Sequence, residues 1–165
     1  MIDRTFAVVM SAYSSEMNRR IFAAARHLSD AERRQGRGAF WRSIHGTLCH
    51  QLWGDQVWMA LFAGWPRPSV SMKQSGSLHE SFAALESARI DADERIERWA
   101  RELSQKWLEA QSAWYSAAAG RDMRKSNQLL VAHFFNHQTH HRGQVHAMLT
   151  AAGRQTGDTD LFLVV

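Results

Sequence analysis

Residues 127–153 read NQLLVAHFFNHQTHHRGQVHAMLTAAG. Leu130, Phe134, Val145, Met148 and Ala152 fall on one face of an α-helix at about 100° per residue. Gly153 follows as a C-cap residue, so the stretch reads as one helix from Asn127 to Ala152. It contains five of the nine histidines in the chain. His137 and His141 lie near the middle of the apolar stripe. His133 and His140 are turned roughly 60–100° to one side, and His146 is on the opposite face.

Three further helices are expected upstream. Phe6, Met10, Tyr13, Met17, Ile21, Ala24 and Leu28 repeat at three- and four-residue steps and predict a helix from Asp3 to about Leu28. Residues 29–38 read as a polar surface connection. A second helix is predicted from about Phe40 to Ala63, closed by Gly64 and followed by Pro66 and Pro68. Residues 64–77 read as a loop by composition. A third helix begins near Leu78 and carries Phe82, Leu85, Ala92, Ile96, Trp99 and Leu103. Residues 104–125 admit two readings, a continued helix or a crossover with short extended pieces. The tail Leu161–Val165 is apolar but too short to predict a helix. Four long amphipathic helices make an all-α four-helix bundle the expected architecture, as one domain over residues 1–165.

Composition agrees with that reading. The chain has 165 residues, 45% of them hydrophobic and 22% charged, which excludes wholesale disorder. Two prolines argue against a turn-rich all-β fold. The single cysteine, Cys49, excludes an internal disulfide and fits a reducing compartment. Without an apolar run of membrane length or a leader pattern, the expected location is cytoplasmic, with no membrane partner. The net charge is only +4 and the basic clusters lack interleaved aromatics, so no nucleic-acid partner is expected.

The histidine spacing carries the chemistry. Two core-facing imidazoles four residues apart aim at one point, the usual helical half of a zinc or nickel site. On the second helix His50 shares a stripe with Trp53, Gly54, Val57 and Leu61, whereas His45 lies about 140° away. His50 is therefore the expected third ligand beside His137 and His141. Gly54, one turn further on, removes a side chain and could leave room for a ligand or substrate. His27, His45 and His79 are expected to be structural, and Cys49 to be a small packing residue. Asp55 is turned away from His50 and fits a structural or interhelical hydrogen-bond role. Gln144 could contact a ligand or the water on the metal. Arg142 is expected to point away from the stripe. The metalloprotease H-E-x-x-H, the Glu-x-x-His pairs of di-iron bundles, Walker loops and G-x-S-x-G are absent. No general base can be named from sequence.

The string Phe135–Gln144 (FNHQTHHRGQ) resembles the signature of the DinB/YfiT-like metalloproteins. Ser43–His50 (SIHGTLCH), followed by Asp55 and Trp58, resembles that family's second-helix motif. Cys49 departs from the pattern, standing where a polar residue is expected. The resemblance implies an up-down-down-up bundle, a crossover between the third and fourth helices, and a homodimer. It also implies a divalent metal, zinc or nickel, on His50, His137 and His141. Some members of the family use such a metal to activate a low-molecular-weight thiol. The expected function is therefore a metal-dependent thiol S-transferase, with a small-molecule thiol and an electrophile as partners. The alternatives are a metal-dependent hydrolase and a non-catalytic metal-binding stress-response protein.

Overall fold

In the computed structural model, which describes residues 2–117 and 119–165, the long helices open on capping side chains. Asp3 accepts the amide of Phe6 at the head of α1 (Arg4–Arg26). The short α2 (Asp30–Arg34) opens with a capping box between Ser29 and Glu32, giving regular structure to a stretch expected to be connection only. Ser43 caps α3 (Ile44–Ala63), which ends at Gly64 in the left-handed region, φ 67°. Ser81 caps α4 (Phe82–Glu102), and Ser104 the short α5 (Gln105–Glu109). Strands β1 (Gln111–Ser116) and β2 (Arg121–Ser126) pair antiparallel, with Trp114 opposite Met123. Ser126 caps α6 (Asn127–Ala151), and α7 (Leu161–Val164) is a single exposed turn.

Several boundaries differ from expectation. The second long helix starts at Ile44 rather than Phe40, because Arg42 takes φ 69° in a tight turn closed by its amide on Ala39 O at 2.8 Å. The third starts at Phe82 rather than Leu78, behind a 3-10 segment at Met72–Ser77. Residues 104–125 resolve into α5 and the hairpin, the crossover reading of that stretch. Leu161–Val164 does form one helical turn. No helix of the described residues is long and apolar enough to cross a membrane.

The chain is mostly helical. α1 packs against α4 and α6, and α3 packs against the same two helices. Two apolar clusters form inside. One joins Ile21, Phe22, Ile44, Leu52, Leu85 and Leu149; the other joins Met59, Phe62, Ile96, Leu130, Phe134 and Phe135. Burying each of these large side chains contributes about 1.5–3 kcal/mol.

All four long helices also bury polar side chains: Asn18, Gln51, Asp55, Arg89, Asp93, Gln138 and Arg142. Arg89 holds Asp55 at 2.5 Å and Asp93 at 2.9 Å. Gln138 Nε2 donates to Asp55 at 3.0 Å, and Asn18 Nδ2 donates to Asp93 at 3.0 Å. Burial pushes both carboxyls up, Asp93 to about 6, against the opposing pull of Arg89. Asp55 is thus the interhelical partner its place on the wheel suggested. Arg142, expected to point away, is instead 4% exposed. The reason is that α6 buries two adjacent stripes, one toward α3 and one toward α1.

Candidate metal centre

One turn along α3 and two along α6 bring three imidazoles together. His50, His137 and His141 each offer a nitrogen, and these atoms all lie within 4.8 Å of one another. His137 Nε2 and His141 Nε2 are 3.1 Å apart. Ligand nitrogens on a tetrahedral zinc with bonds of about 2.1 Å stand roughly 3.4 Å apart. The donor set therefore fits a divalent transition ion in type, and the His137–His141 pair also in spacing.

The outer hydrogen bonds fix two of the ring tautomers. Ser75 Oγ donates to Met72 O at 2.7 Å, so it accepts from His50 Nδ1–H at 2.7 Å. Gln144 Oε1 accepts from His141 Nδ1–H at 2.8 Å. Both rings therefore turn an Nε2 lone pair toward the cluster, the arrangement of a ligand oriented from behind. His137 Nδ1 is buried with no partner. Burial and the neighbouring imidazoles lower His50 and His137 to about 3, and burial lowers His141. All three are neutral at pH 7, the form that coordinates.

Aromatic packing holds the donors in place. The His50 ring stacks on Trp41 at 4.0 Å and on Trp53 at 5.7 Å. The turn carrying Trp41 sits so close to α3 that a Cβ on Gly46 would stand 2.5 Å from Trp41 O. Gly54 was expected to leave room for a ligand; the His137 ring occupies that room instead, its Cε1 only 2.7 Å from where a Cβ would be. His133 and His140 flank the cluster, with ring centroids 6.0 Å from His137 and 4.9 Å from His141.

The remaining candidates fall outside it. His45 donates through Nε2 to His79 O at 2.8 Å and is structural. Cys49 is fully buried, points its thiol at the same carbonyl at 3.6 Å, and is pushed up by burial. His146 is half-buried against Thr156 rather than free in solvent. Gln144 reaches His141 itself. Sequence reasoning missed Ser75 and Trp41. Both lie in irregular segments, where no periodicity says which side chain turns back toward a helix.

A search of the curated proteins finds no match to this chain. The model of the DinB family matches residues 1–164, and with that match over almost its whole length the chain belongs to the DinB family.

Proposed function

We propose that this chain is a single-domain, up-down-down-up four-helix bundle that holds zinc or nickel on His50, His137 and His141 and transfers a low-molecular-weight thiol to an electrophile. The order of the two clusters along each helix supports those directions: α1 and α6 reach the Phe134 cluster first, α3 and α4 last. The cytoplasm, with a reducing thiol pool, suits such a reaction.

The observation that carries the reading is the donor set itself. Among the described residues, three imidazoles and no carboxylate make up the cluster. A divalent ion held by these three residues would keep its full charge and would favour the thiolate form of a small thiol. The residues around the cluster supply orientation. Ser75 and Gln144 fix which nitrogen of His50 and of His141 faces inward. Trp41 and Trp53 stack on the His50 ring and restrain it. In the transfer, the thiolate sulfur forms a bond to the electrophilic carbon, and the displaced group leaves with its electron pair.

Cobalt substitution tests the reading. Adding low-molecular-weight thiols to the cobalt protein is expected to produce sulfur-to-metal charge-transfer absorption. A spectrum that responds to azide or phosphate but to no thiol would favour metal-assisted hydrolysis instead. One that responds to nothing would favour a non-catalytic binding protein.

A smaller change tests the geometry. Gly54→Ala puts a methyl against the His137 ring and is expected to weaken metal binding by about 10–100-fold, the scale of an outer-shell disturbance. Equilibrium dialysis measures it, and an unchanged affinity would mean that His137 is not held against Gly54.

A further inference from the structure

On the far face of α6 from the three histidines, a cavity of about 330 Å³ lies between α1 and α6 under the tail. Its lining includes Tyr13, Met17, Ile21, Arg142, Gly143 and His146. Tyr13 Oη donates to Thr159 O at 2.7 Å and ties the tail across this side.

Arg142 is the anomaly. It is 4% exposed, yet its guanidinium meets no charged acceptor. Nη1 donates to Gln138 Oε1 at 3.5 Å and Nη2 to Thr139 Oγ1 at 3.2 Å, both long for bonds from a cation. The Tyr13 ring lies 5.5 Å below it. Asp55 and Asp93, whose charges it feels, are both held by Arg89. Their charges offset its own at a distance, but their oxygens are spent on Arg89, Gln138 and Asn18. The guanidinium carries five N–H donors and meets only two neutral side-chain acceptors, so it keeps donors for a ligand in the cavity it lines.

We propose that this cavity binds a small organic carboxylate, its two oxygens forked on Arg142 and its apolar body against Tyr13 and Met17. The planar guanidinium matches a carboxylate in bidentate fashion. The volume lies in the range of small-molecule sites. Met17 and Ile21 belong to the core side of α1, so the cavity favours a hydrocarbon body over a bare inorganic ion.

Calorimetry and thermal melts with benzoate, benzamide and inorganic phosphate test the site on the intact chain. Benzoate is expected to bind at roughly millimolar Kd or tighter and to raise the Tm. Benzamide, which lacks the charge, is expected to bind at least about tenfold more weakly. Two substitutions localise the effect. Gly143 stands exposed in the lining, and a Cβ there meets nothing within 4 Å. Gly143→Leu is therefore expected to fold with an equal or higher Tm, since mid-helix Gly costs about 1 kcal/mol, while blocking benzoate. Arg142→Lys keeps the charge but loses the fork and is expected to weaken benzoate by about fivefold or more. No benzoate binding to the unsubstituted chain, or binding by both variants as tight as by the unsubstituted chain, would overturn the site. Binding of phosphate alone would overturn the carboxylate assignment.

Discussion

Replacing His137 or His141 with alanine is expected to strip the protein of nearly all bound divalent metal. Each ring contributes a nitrogen to a set of three, and the remaining pair cannot close a site that needs three protein donors. The loss should exceed the roughly 10–100-fold that outer-shell changes cost, and His50→Ala should behave in the same way. His146→Ala is the control. Its ring hydrogen-bonds to Thr156 and contributes nothing to the cluster, so metal content should hold. Elemental analysis of protein purified without an affinity tag reads all four. Full occupancy in the His137→Ala protein would refute the assignment.

The largest loss of stability is expected from Arg89→Ala. The side chain is buried and stands between two carboxylates, one of them fully buried. Removing it strands Asp55 and Asp93 in the core, a change that costs about 3–5 kcal/mol. That is a third or more of the total for a protein near the middle of the usual 5–15 kcal/mol range, so the urea midpoint should fall sharply. The surface Arg19–Glu16 pair has a similar separation, 2.6 Å, yet breaking it should move the midpoint little because water screens it. Similar midpoints for the two variants would show that the buried layer does not carry the stability assigned to it.

The helices were legible because their apolar residues repeat at the helical period, and two of them are closed by Gly64 and Gly153. His137 and His141 were legible for the same reason: the wheel that found the core also found them on it. Arg142 was misread because a wheel drawn from apolar residues sees one stripe, while α6 faces two neighbours and buries polar side chains toward the second. Val131, Phe135 and Leu149, buried beside that Arg, mark the second stripe in retrospect. Ser75 left no trace, since a serine in a 64–77 connection is ordinary loop composition. The Phe40 boundary failed through Arg42, whose left-handed backbone no local preference of Arg announces.

The three-histidine cluster draws one donor from α3 and two from α6, separated by the whole of α4 and the hairpin. During synthesis at about 5–20 residues per second, His50 leaves the ribosome well before either partner exists. A nascent chain therefore displays a lone imidazole, no better a trap for ions than any surface histidine. The three-donor arrangement can close only after α6 has emerged and found its place against α3. Any selection among ions would thus be an act of the finished protein, made from whatever the surroundings then offer, and not of the growing chain.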